Sequence, residues 1–262
     1  MEQKLGVLYK RGECLLKQDT VLYENNQGIA VITLNRPHVK NALHLPMHEE
    51  LYYCLNEANT DTNVKVIVLQ GAGDAFCAGA DLKSVENPQS FDYGDYLRET
   101  YNRLILCIAG INKPTIAYLN GTTVGAGLSI ALACDYRIAA PGATIALSFL
   151  KIGLVPDAGA SFFLPRLVGY GKALELSLGH TVSTKDAYDM NLITKTGDPW
   201  EFAQTLLSLP AEAYGLMKQN MYKGTLYSLE EVLDMEVSAQ RQAGKTDEHK
   251  QALSAFWKKT NK

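Results

Sequence analysis

Asn120-Gly-Thr-Thr-Val-Gly-Ala-Gly-Leu-Ser-Ile-Ala-Leu-Ala-Cys-Asp135 reads as a strand end, a glycine-rich turn and the first turns of a buried helix. Gly125 and Gly127 carry no Cβ, so a ligand can approach the backbone closely. Leu128, Ile130, Ala131, Leu132 and Ala133 are core-helix material. A glycine turn feeding a helix N-terminus presents free N–H groups and the positive end of the helix dipole. That suits a phosphate, a carboxylate or a developing oxyanion. A dinucleotide fingerprint would need a third glycine where Ile130 stands, and no Gly-Lys-Ser/Thr follows. Taken alone, the plainer reading leads: a tight strand–helix turn.

A second segment shifts the balance. Ala75-Phe-Cys-Ala-Gly-Ala-Asp-Leu-Lys83 follows the apolar run Val66–Leu69 and a glycine turn, Gly71 to Asp74. Small residues again surround a backbone that something needs to approach. Further out, elements alternate. Strands are expected at 29–34, 66–69, 115–119, 136–139 and 144–147, with helices at 46–58 and 96–108. From Gly159 onward the pattern is almost all helix.

Composition bounds the possibilities. The chain has 262 residues, 47% of them hydrophobic, enough for a sizeable core. A net charge of -3 argues against a nucleic-acid face. Five cysteines (Cys14, Cys54, Cys77, Cys107 and Cys134) are widely spaced without a Cys-x-x-Cys pair, so neither zinc nor a redox dithiol is indicated. His44 and His48 are spaced i, i+4 but lack an acidic partner, and His38, His180 and His249 show no ligand spacing. No metal site is expected. Charged residues break the first twenty positions and no apolar run is long enough to cross a bilayer. The expectation is a cytoplasmic protein that engages no membrane.

The pair "FCAGADLK" and "NGTTVGAGLSIALACD" resembles the crotonase superfamily of enoyl-CoA hydratases and isomerases. "GIAVITLNRPHVKNAL" from Gly28, "KPTIAYLNG" from Lys113, "FLKIGLVPDAGASFFLPRLVGYGKALEL" from Phe149 and the C-terminal stretch from Ala213 extend the likeness from about Val21 to Phe256. It is most similar to the ring-epoxide phenylacetyl-CoA isomerase and enoyl-CoA isomerase members. The resemblance implies an α/β fold, a crotonase-like β-β-α superhelix with a C-terminal helical trimerisation region. The expected layout is an unmatched arm over 1–20, a spiral core over 21–200 and a helical oligomerisation region over 201–262. A homotrimer or homohexamer follows, with Leu229, Val232, Leu233 and Val237 as an apolar stripe for the partner.

The resemblance also implies the chemistry. The N–H groups of Ala80 and Ala126 would stabilise a thioester enolate as an oxyanion hole, and Ala78, Asp81, Leu82 and Lys83 would bind the coenzyme A portion of the substrate. No prosthetic group is implied. For Lys83, a merely solvated lysine is equally open; Asp81 is expected to hold its loop by backbone hydrogen bonds. The two glutamates of family hydratases fall where this chain has Ser129 and Phe149, which speaks against ordinary hydration. Ser129 is then a small helix filler and Phe149 shapes the pocket. Asp157, in "GLVPDAGAS", matches a position where several isomerases carry a catalytic aspartate. It could also cap the helix that begins near Ala158–Ser161, a role that does not exclude catalysis and stands slightly behind it. The apolar wall beside it is expected to include Phe149, Leu154, Phe162 and Phe163. Tyr52, Tyr53, Tyr93, Tyr96 and Tyr101 are expected in core or pocket wall, and Asp135 as a structural acceptor. A flap over the acyl pocket is expected at Pro88–Thr100. Three readings stand: an acyl-CoA isomerase; another reaction on a coenzyme A or carrier-protein thioester, such as a decarboxylation in polyketide branching; and a catalytically idle subunit.

Overall fold

The computed structural model describes residues 20–84 and 91–260. All but one residue of the expected arm, Cys14 and the start of the expected flap lie outside them. The first two strands, β1 (Val21–Asn26) and β2 (Ile29–Leu34), pair antiparallel. Gln27 and Gly28 join them at φ 53° and 96°, the backbone of a two-residue primed turn. β1 is polar and mostly exposed beyond Val21, so hydrophobic periodicity passes over it. Pro46 opens α1 (Leu45–Thr60), whose Met47, Leu51, Cys54, Leu55 and Ala58 form one buried face at helical spacing.

A long strand, a short strand and a helical segment then recur three times. The first round is β3 (Val66–Gly71), β4 (Ala75–Cys77), α2 (Tyr93–Glu99) and α3 (Tyr101–Gly110). The second is β5 (Thr115–Leu119), β6 (Thr122–Val124) and α4 (Ala126–Ala133). The third is β7 (Tyr136–Ala139), β8 (Ile145–Ala146) and α5 (Ala160–Val168). After α6 (Tyr170–Ser177) and α7 (Thr184–Asp189), β9 (Lys195–Thr196) closes the edge. The long strands form one sheet in the order β1-β2-β3-β5-β7-β9, and the short ones a second, β4-β6-β8. Every pairing except β1–β2 is parallel. This is the β-β-α spiral that the resemblance implies.

The larger sheet is buried on both faces, as near-continuous apolar strands require. Ala30, Ile32, Leu34, Ile67 and Leu69 join the main core with α1, α3 and α4. Their neighbours Ile29, Val31, Val66 and Val68 point the other way, onto Ala203, Leu206 and Tyr214 of α8 (Trp200–Leu207) and α9 (Ala211–Gly224). The chain ends in α10 (Leu229–Ala243) and α11 (Asp247–Thr260). A reciprocal Ser228–Glu231 capping box starts α10. Leu229, Leu233 and Val237 are exposed on that helix, whereas Val232 is half-buried.

Two local features set up the site. All eight residues of α4 are buried, as a helix with apolar residues on every side demands. A Cβ on Gly127 would lie 2.4 Å from the Cys77 carbonyl oxygen, so glycine lets α4 pack directly on the end of β4. The single helix expected at 96–108 is instead two, parted at Thr100 (φ −113°, ψ −79°). The Thr100 hydroxyl donates to the Tyr96 carbonyl at 2.6 Å, a back-bond that competes with regular helix geometry. The break turns Tyr96 and Tyr101 toward the same cavity.

Candidate active site

A cavity of about 610 Å³ opens between the loop after β4, the start of α4, the wall made by α2 and α3, and the segment before α5. On its first side, every backbone N–H of 78–81 but one is engaged. Ala78 N–H donates to the Lys40 carbonyl at 2.9 Å, Gly79 N–H to Cys77 Sγ at 3.4 Å and Asp81 N–H to the Leu43 carbonyl at 2.8 Å. Leu43 N–H returns to the Gly79 carbonyl at 2.8 Å. The Ala80 N–H donates to no acceptor among the described residues. Gly79, at φ 96°, brings this loop against the next one: a Cβ there would sit 3.0 Å from the Val124 carbonyl oxygen and 3.5 Å from the Ala126 nitrogen.

On the second side, Gly125 (φ 56°) turns β6 into α4, and no side chain caps that helix. Ala126 is the first residue of α4, so its N–H is one of the orphan donors at the positive end of the dipole. It too has no acceptor among the described residues. Ala80 and Ala126 both line the cavity.

Asp157 faces the same space. The next two residues take positive φ, Ala158 at 49° and Gly159 at 79°, and Gly159 stands at the start of α5 with no side-chain cap. The Asp157 carbonyl accepts from Ala160 N–H at 3.0 Å, but its side chain caps nothing, which removes the capping alternative. Its buried Oδ1 has no hydrogen-bond partner among the described residues. Burial without a compensating donor pushes the Asp157 carboxyl up to about 6.

The other expected residues divide. Ala78, Asp81 and Leu82 line the cavity, whereas Lys83 is exposed and does not. Asp81 does more than hold backbone: its Oδ2 pairs with Arg36 Nη1 at 2.9 Å, an ion pair that the sequence did not suggest. Phe149 and Leu154 form wall as expected. Phe162 and Phe163 do not. The tight turn at Ala158–Gly159 swings α5 away, so Phe163 reaches a separate hollow beside Ala133 and Arg166, and Phe162 packs on Tyr222. Tyr93, Tyr96 and Tyr101 line the cavity, while Tyr52 and Tyr53 pack against the core, Tyr52 with Arg103 over its ring. Ser129 is fully buried, donates weakly to the Gly125 carbonyl at 3.4 Å and does not reach the cavity.

Asp135 accepts from the Thr115 backbone and hydroxyl and from Lys218, tying α9 to β5 away from the cavity. His44 lines the cavity, and buried His48 sits edge-on to Tyr101 at 4.3 Å; desolvation lowers His48 to about 4, so it is neutral. The described residues contain no group of three or more metal-ligating side chains. A negative charge could thus be held by two backbone donors while a carboxylate of raised basicity faces the same volume.

The family model for enoyl-CoA hydratase/isomerase matches residues 24–262. The chain is 34% identical over 247 residues to 1,2-epoxyphenylacetyl-CoA isomerase of Escherichia coli (strain K12), covering 90% of this chain and 94% of that one. It is 33% identical over 225 residues to 4-chlorobenzoyl coenzyme A dehalogenase-2 of an Arthrobacter species, covering 82% of each. Among solved structures, an enoyl-CoA hydratase from Bacillus anthracis superposes with a TM-score of 0.84 at 31% identity, covering 92% of this chain and 96% of that one.

Proposed function

Because the chain belongs to the enoyl-CoA hydratase/isomerase family, we propose that it is an acyl-CoA isomerase in which Ala80 and Ala126 hold a thioester enolate and Asp157 moves the proton. The observation that carries this reading is Asp157 Oδ1: buried, without a partner among the described residues, and in one cavity with two backbone donors equally free among them. Removing a proton beside a thioester places negative charge on the carbonyl oxygen. Fixed donors aimed at that oxygen are worth about 2.7–4 kcal/mol each in comparable sites. A carboxyl near 6 is largely ionised at neutral pH, yet basic enough to take a proton from carbon and return it one or more carbons along the chain. Both transfers occur at Asp157, so the reaction needs no second acid.

The segment from Ala78 to Leu82, which lines the cavity, would carry the coenzyme A end. Asp81, neutralised by Arg36, presents no free charge against the substrate's phosphates. The acyl group would lie against Phe149, Leu154, Tyr96 and Leu97. Hydration is disfavoured because Ser129 lies outside the cavity and Phe149 offers no proton-transfer group.

The test is Asp157→Asn, assayed for double-bond migration in a panel of unsaturated acyl-CoA thioesters by mass spectrometry. Turnover should fall about 10²–10⁴-fold, with acyl-CoA affinity preserved and a melting temperature at neutral pH no lower than that of the wild type. Full isomerase activity in the variant would overturn the assignment. Loss of carbon dioxide from a carboxylated acyl thioester, unaffected by the substitution, would favour the decarboxylase reading.

A further inference from the structure

The proposed chemistry gives no task to several polar groups of the cavity, His44 and Tyr101 among them. Tyr101 opens α3, is 2% exposed and lines the cavity, yet its hydroxyl finds no hydrogen-bond partner among the described residues. Its ring packs edge-on against His48 at 4.3 Å and Tyr96 at 6.1 Å, which fixes its position. Burial, with Cys77, Tyr96 and Asp157 nearby, holds the hydroxyl protonated, so it is a donor. The surrounding wall is apolar, with Leu43, Leu97, Phe149 and Leu154 among its members.

A buried hydroxyl left unpaired is unfavourable, and native structures rarely keep one without a use. The Tyr101 hydroxyl is already shut off from water, and a plain hydrocarbon acyl group filling this cavity would leave it unpaired. An acyl group that carries its own oxygen would satisfy it. Sites built to hydrogen-bond a substrate oxygen discriminate against analogues that lack it, for that reason.

We propose that Tyr101 is a specificity-determining residue whose hydroxyl donates to an oxygen on the acyl group itself, beyond the thioester, making oxygenated acyl-CoA the preferred substrate class. Asp157 stays free for proton transfer. The proposal rests on the reading that this cavity holds an acyl-CoA thioester.

Calorimetric titration with hexanoyl-CoA and with its 3-oxo, 4-oxo and 5-oxo counterparts tests it, in the wild type and in Tyr101→Phe, which removes a single oxygen. At least one ketone position should bind about tenfold more tightly than hexanoyl-CoA, and that advantage should shrink to under about twofold in Y101F. Equal affinity for all four ligands in the wild type overturns the proposal and leaves the isomerase reading standing. So does an advantage that survives in Y101F, or a loss shared equally by all four, which would assign Tyr101 to shaping the cavity and not to reading an acyl oxygen. Failure of every thioester to bind overturns both.

Discussion

At the residue scale, Asp157 ties pH to both activity and stability. Its carboxyl is raised by burial to about 6, above the ordinary 3.8. Between those values the folded state holds the proton more tightly than the unfolded chain. Asp157 therefore favours the native state at low pH, and that contribution is lost as pH rises through about 6. Asparagine escapes the loss. The melting temperature of D157N relative to wild type should climb from pH 4 to pH 6 and level off above, as scanning calorimetry would show. His48, lowered to about 4, has the opposite sign, losing stability as pH falls below 6.5, but it is common to both proteins and cancels in the difference. Activity should run the other way: the wild-type kcat/KM rises with pH through about 6 as the base ionises, and D157N lacks this limb. Ser129 and Phe149 yield a separate expectation. Without a positioned glutamate at either place, crotonyl-CoA hydration should lie ~10²–10⁴-fold below a competent hydratase for each missing group. An ordinary hydratase rate in a spectrophotometric assay would contradict this account of the cavity.

At the scale of elements, the junction of β4 with α4 is the tightest place in the site. Gly127→Ala would drive a Cβ to 2.4 Å from the Cys77 oxygen and 2.7 Å from its Cβ. Overpacking of this kind costs about 1–3 kcal/mol, a fall in melting temperature of roughly 2–12 °C. Gly171→Ala in α6 meets open space and should be neutral or slightly stabilising. A thermal scan in which the two variants match would show that the contact at Gly127 relaxes freely. The same junction shows what the sequence could reveal. Apolar runs such as Val66–Leu69 and the predominantly apolar α4 announce themselves through composition. β4 and β6 are three residues each, too short for a period to register. The break at Thr100 depends on one side-chain hydrogen bond, and the wrong placement of Phe162 and Phe163 on the turn at Ala158–Gly159, where alanine adopts a positive φ that its identity does not advertise. The free N–H of Ala80 was legible only through resemblance, since its freedom is defined by what its neighbours bond.

At the scale of the whole molecule, the main sheet is covered on both faces but the last helices are not. Leu229, Leu233 and Val237 on α10, and Phe256 and Trp257 on α11, are about half or more exposed. A single chain rarely leaves so much apolar surface open to water. Self-association is the expected outcome; we propose a closed ring of three copies, or two such rings, as the family resemblance implies. Light scattering at micromolar concentration should report a multiple of three; a stable monomer would refute it. Lys218, bridging α9 to Asp135 and to the Lys113 carbonyl, fastens this region to the sheet.

The donor at Ala126 has a consequence for heredity. A main-chain N–H survives replacement of its side chain by every amino acid but proline. At the first position of a helix, proline is also the substitution the backbone welcomes most. One base change converts any alanine codon into a proline codon. Ala126→Pro should therefore leave the melting curve nearly untouched while removing a donor worth about 10²–10³ in turnover. A survey that ranked variants by folding alone would pass it as benign, and a carrier of that allele would make a full complement of well-folded protein slowed by that factor.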